Sequence, residues 1–191
     1  MLYSLFSGRA KTKALFLLYE HPREKFHMRQ IERLTHERIN SVRSALIALT
    51  KEGVCSKEAI GKKTFFQANQ NYVFFDELLR IVAKNTGLGG RIVKEKLKLG
   101  KIKTAFLSLG FYRQLARTTE DIDLFIVGSV PVAEIAKVAK EEGDKRGVEI
   151  NYSVMTPEEF VFRKKNKDPF LLSILQKGRL VLIGNEDIYS D

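Results

Sequence analysis

Residues 105–128 read AFLSLGFYRQLARTTEDIDLFIVG, and the end of that stretch decides how the second half of the chain is read. Ile122, Leu124, Ile126 and Val127 form a short apolar run closed by Gly128, which predicts a β-strand over about 121–127. Asp121 and Asp123 open it at i, i+2 spacing, which places two strand side chains on one face. Carboxylates this close repel unless a cation lies between them, and magnesium is the usual occupant of such an oxygen pair.

Working outward, 103–109 reads as a strand before this one and 111–116 as a short helix between the two. Pro131 opens a helix over about 131–142, with Ile135, Val138 and Ala139 inward. Residues 148–155 alternate, with Val148, Ile150, Tyr152 and Val154 on one face, as a half-buried strand does. Thr156-Pro157-Glu158-Glu159 has the form of a helix start with a capping box. A helix over 170–175 and a strand over 180–183 follow. These elements predict an α+β fold with a small mixed sheet over residues 101–191.

The order of strand, turn, helix-like segment and DID resembles the nucleotidyltransferase fold of the DNA polymerase β superfamily in its minimal form. That family's pattern is a Gly-Ser pair after the first strand, a later glycine, then Asp-x-Asp. Aligned without gaps, the pair falls on Leu109-Gly110 and the later glycine on Gln114. The resemblance implies that Asp121 and Asp123 hold Mg2+, with a third carboxylate from the 148–155 strand. Glu149 offers that charge there and Asn151 does not. It also implies nucleotide binding at the helix start, by Ser108 and Gly110 if the loop is shifted by one residue. The carboxylate half of the pattern is kept and the phosphate-cradling half is altered.

The charge of the chain is lopsided. Residues 1–100 hold 19 Lys/Arg against 9 Asp/Glu, and residues 101–191 hold 14 of each, so the whole +10 excess lies in the first half. One-sided basic charge of this size favours a polyanion partner. The periodicity there predicts helices over about 9–20, 28–34 and 40–51. In the third, Val42, Ala45, Leu46 and Leu49 face inward, and Gly53 stands where a helix C-terminus wants glycine. Two strands, 54–60 and 64–68, flank the basic turn Gly61-Lys62-Lys63.

Over residues 9–82 this succession resembles bacterial and archaeal winged-helix transcription factors, on the stretch FHMRQIERLTHERINSVRSALIALTKEGV leading into KKTFFQANQ. If Val42 and its companions are buried, Asn40, Ser41, Arg43 and Ser44 face outward from the third helix, as residues that read base edges or phosphates must. Lys62 and Lys63 at the wing tip, with Arg29 and His27 at the start of the second helix, are expected to meet phosphates of double-stranded DNA.

Residues 72–83 predict an amphipathic helix able to pack on its own domain or on a second copy in a homodimer. The glycine-rich run 85–90 reads as a linker, giving domains at 1–85 and 101–191 with a linker and basic helix over 86–100. A single cysteine, Cys55, excludes an internal disulfide, and no apolar run is of membrane-spanning length, so a cytoplasmic location is expected. The three histidines share no metal-ligand spacing with Cys55, which argues against zinc. Two functions fit: a DNA-binding transcriptional regulator carrying a partly degenerate transferase domain, or an active magnesium-dependent nucleotidyltransferase. The latter would modify a protein or small molecule, and an antitoxin paired with a partner protein is one form of it.

Overall fold

The computed structural model describes residues 8–116 and 118–185, a mixed α and β chain with one sheet in each half. The chain divides between Val82 and Ala83. In the first unit, α1 (Arg9–Glu20), α2 (Met28–Thr35) and α3 (Ile39–Lys51) precede the hairpin β2 (Cys55–Ile60) and β3 (Lys63–Ala68), and α4 (Phe75–Ala83) follows. The apolar spacing of 40–51 does what it predicts, and of the apolar face expected of 9–20, Ala14, Leu15, Leu17 and Leu18, all are buried except Leu17, which is half-buried. Ala14, Leu15, Leu18 and Tyr19 of α1 and Val42, Ala45, Leu46 and Leu49 of α3 are buried, each large side chain contributing about 1.5–3 kcal/mol. The Tyr19 hydroxyl donates to the Val54 carbonyl at 3.0 Å, which ties α1 to the start of the hairpin.

Gly53 ends α3 in the left-handed region, φ 74°. There its N–H reaches the Thr50 carbonyl at 3.0 Å and Val54 N–H the Leu49 carbonyl at 2.9 Å, the paired bonds that close a helix through a glycine. At the hairpin, Ile60 pairs with Lys63, leaving Gly61-Lys62 as a two-residue loop. The positive φ of Gly61, 59°, is what such a loop needs at its first position. A two-residue strand, β1 (Phe26–His27), pairs antiparallel with β3 and gives the order β1-β3-β2. It is too short for any periodicity to announce it.

The second unit holds α5 (Gly87–Glu95), β4 (Lys101–Ser108), α6 (Leu109–Tyr112), β5 (Leu124–Ser129) and α7 (Val132–Arg146), then β6 (Tyr152–Met155), α8 (Pro157–Lys165), α9 (Pro169–Leu175) and β7 (Arg179–Ile183). The sheet runs β6-β5-β4-β7: β4 is antiparallel to both its neighbours, and β5 and β6 are parallel. A core of Phe106, Phe125, Val127, Met155, Phe160, Leu171 and Ile174 lies on one side of it. Phe106 and Phe125 stack with ring centroids 5.1 Å apart.

Three expectations are corrected. Residues 87–90 are no linker: they form the first turn of α5, with Leu88, Gly89, Gly90 and Ile92 buried. A Cβ on Gly89 would lie 2.3 Å from the Ala83 carbonyl oxygen and 3.1 Å from Leu107 and Leu182, so this glycine serves close packing rather than freedom. The Asp-x-Asp pair is not in a strand, since β5 begins at Leu124. Glu149 and Asn151 likewise precede β6, which begins at Tyr152.

Candidate functional site

On α3, Asn40, Ser41, Arg43 and Ser44 are exposed, opposite the buried stripe. Ile47 stands on the same outer face and is 64% exposed, an apolar residue left out of the core. Counting charged residues does not find it; helical spacing from Arg43 and Ser44 does. Lys62 and Lys63 are exposed at the hairpin loop, and Arg29 is exposed on the first turn of α2. Among the described residues, Arg29, Arg43, Lys62 and Lys63 make no ion pair, so their charge is available to a ligand.

The start of α3 is held by α1. Glu37, in the turn between α2 and α3, binds Lys13 at 2.7 Å and Arg9 at 3.0 Å. Lys13 also donates to the Thr35 carbonyl at 2.8 Å. The Lys13 hydrogen bond holds the Glu37 carboxyl below the usual carboxylate range. Glu37 is therefore neutralised beside the face that α3 presents. A groove of about 620 Å³ runs alongside, bordered by Arg9, Lys11, Asn40, Ser41 and Ser44.

His27 has a structural job besides the phosphate contact expected of it. It is the N-cap of α2: its Nδ1 accepts the Gln30 N–H at 3.2 Å, and Gln30 Oε1 accepts the His27 N–H at 2.9 Å. Its ring meets that of Phe65 edge-on at 6.0 Å. Through Nδ1 the ring fixes where α2 begins. His27→Ala removes an acceptor that alanine cannot supply, so it is expected to lower stability by about 1 kcal/mol. Urea unfolding checks this, and a loss indistinguishable from zero means the cap is not made.

In the second unit the two carboxylates part company. Asp123 is fully buried; its Oδ2 accepts the Asn151 N–H at 2.9 Å, and its own N–H donates to the Asn151 carbonyl at 2.8 Å. Asp121 is partly exposed. Its Oδ1 binds Lys177 Nζ at 2.5 Å, and its Oδ2 accepts from the Thr118 N–H at 2.8 Å and hydroxyl at 3.1 Å. These contacts, the Lys177 bond foremost, pull the Asp121 carboxyl down to about 2. Asn151 contributes no charge but much order: its Nδ2 donates to the carbonyls of Thr119 at 3.0 Å and Asp121 at 3.1 Å.

Glu149 is not brought to this pair. It borders a separate cavity with Lys140, Asp144 and Tyr152. The cleft beside Asp121, about 600 Å³, is bordered by Ser108, Thr118, Asp121, Ser173, Lys177 and Gly178 instead. Ser108 caps α6, its hydroxyl accepting the Phe111 N–H at 3.3 Å. Gly110 lies in open space, so nothing in the fold demands a glycine there. Gln114, at the family's later glycine, has φ 53°: the left-handed backbone that suits glycine is kept while the residue is not.

These residues do not fit a two-magnesium site. Asp123 is fully buried with its Oδ2 engaged by the Asn151 N–H, both oxygens of Asp121 are engaged, and among the described residues no group of three or more His, Cys, Asp or Glu is placed to hold a metal. Among the described residues, no helix is long and apolar enough to cross a membrane. No protein-family model, curated protein or solved structure matches the chain.

Proposed function

We propose that the chain is a DNA-binding transcriptional regulator: a winged helix-turn-helix unit, joined to a nucleotidyltransferase-like domain that does not carry out transfer. The observation behind this reading is the outer face of α3, where an Arg43 with no ion pair among the described residues stands amid Asn40, Ser41 and Ser44. In this reading α3 enters the major groove and the β2–β3 hairpin lies along the backbone. Arg43 binds guanine O6 and N7, and Ile47 lies against a thymine methyl. Lys62, Lys63 and Arg29 meet phosphates, which position the protein without reading sequence. The Lys13–Glu37–Arg9 cluster keeps a carboxylate from repelling the duplex at the start of α3. The transferase reading finds less support, because its carboxylates are engaged by the protein's own donors.

Two variants separate base readout from phosphate contact. After selection of a preferred site from random duplexes, Arg43→Ala is expected to cost about 1–3 kcal/mol on that site and to relax specificity. The double change Lys62→Ala, Lys63→Ala is expected to weaken all sequences to a similar degree. If Arg43→Ala weakens preferred and random duplexes equally, α3 is not the reading element.

A further inference from the structure

We infer that the Asp-x-Asp segment is a structural clamp, closed by Lys177 and Gly178, in place of a metal site. Two consecutive residues after α9 reach both sides of the cleft. The Lys177 ammonium lies 2.5 Å from Asp121 Oδ1, on the carboxylate side. The Gly178 carbonyl accepts the Leu109 N–H at 2.7 Å, on the side where α6 begins. A fixed cation on one acid and a fixed acceptor on one backbone N–H thus engage the two kinds of group that a metal–triphosphate would have to engage.

Leu109 explains why the closure fits. Where the family pattern has glycine, its side chain lies against Gly178, whose added Cβ would be 3.0 Å from Leu109 Cδ2. The turn at 118–121 is held from three directions. Lys177 binds Asp121 from outside, Thr118 donates twice to it from within, and Asn151 donates to the carbonyls of Thr119 and Asp121. Asp123 is bonded into the junction with Asn151 on the inner side. Acidic residues built to receive a cation stand with their charges unopposed in its absence, and neutralising one relieves repulsion. Here both oxygens of Asp121 are met by protein donors, so neutralising Asp121 removes attraction. The sign of the effect separates the two cases.

The inference concerns the second unit alone and stands whether or not the first binds DNA. Thermal unfolding of the full chain in EDTA tests it, with Asp121→Asn, Lys177→Met and the double variant. Each single change is expected to lower the Tm of the second unit by roughly 2–5 °C, small because the pair is partly solvated. The double variant is expected to lose no more than the worse single one, since both break one contact. Millimolar MgCl2 is expected to leave the wild-type Tm unchanged. NMR titration gives an independent readout: the Asp121 carboxyl, held near 2 in the wild type, returns toward its ordinary value near 3.8 in Lys177→Met. Because the folded value is the lower one, the stabilisation is full above about pH 4 and is lost as pH falls toward 2. A rise in Tm in Asp121→Asn, no loss in either single variant, additive losses, or a magnesium-dependent rise in the wild type would each overturn the clamp.

Discussion

Duplex DNA is expected to bind the full-length chain with an affinity that collapses as salt rises. The charge excess lies in the first half of the chain, and Arg29, Lys62 and Lys63 are exposed there without ion pairs among the described residues. Each phosphate that a lysine or arginine neutralises releases condensed counterions, lowering the slope of log K against log salt by about 0.9. Around five such contacts give a slope near −4.5, so a roughly fourfold rise in salt weakens binding about 500-fold. Replacing Arg29, Lys62 and Lys63 together by alanine removes up to three contacts and is expected to shallow the slope by about 2.7. Fluorescence anisotropy with a labelled duplex over a salt series measures both. Binding that stays flat with salt, or a triple variant with the wild-type slope, removes the proposed DNA face.

The elements that could be read from the sequence are those whose signals are local. The stripe Val42, Ala45, Leu46 and Leu49 needs only helical spacing, and it is buried as that spacing requires. Gly53 and Gly61 stand at left-handed positions next to the elements they terminate. What was not legible depends on partners far along the chain. Glycines at 87, 89 and 90 look like freedom until Ala83, Leu107 and Leu182 are seen against Gly89. Phe26 and His27 become a strand only because Phe66 and Phe65 pair with them.

The carboxylates mislead for the same reason. Alternation across Asp121-Ile122-Asp123 suggests one shared strand face, but strand pairing begins at Leu124, where Tyr152 becomes the partner. Before that point the chain is turned by Thr118, and the two acids diverge into different surroundings. Lys177 lies 56 residues away from Asp121 in sequence, and nothing near the motif announces it. The helix start at Thr156 was half legible. Its hydroxyl caps the Glu159 N–H at 3.1 Å, but the Glu159 side chain turns to Arg163 at 2.9 Å instead of closing the box.

Asp123→Ala is expected to destabilise the second unit by about 2–4 kcal/mol, far more than any change at Asp121. The carboxylate is fully buried, and its Oδ2 accepts the Asn151 N–H at 2.9 Å. The main chain is paired at the same junction, where Asp123 and Leu124 donate to the Asn151 carbonyl at 2.8 and 3.1 Å. This is where β5 and β6 begin to run in parallel, and a parallel pair is slightly weaker per residue than an antiparallel one. Alanine strips the acceptor from a buried N–H and leaves a space that the junction must fill or leave dry. Both effects act in the folded state, so the loss appears as a lower urea midpoint for the unfolding of the second unit, with the slope unchanged. Asp123→Asn keeps one oxygen in place and is expected to lose less than Asp123→Ala. An Asp123→Ala protein as stable as the wild type, or more so, would mean that this carboxylate is a burden on the fold and is kept for chemistry.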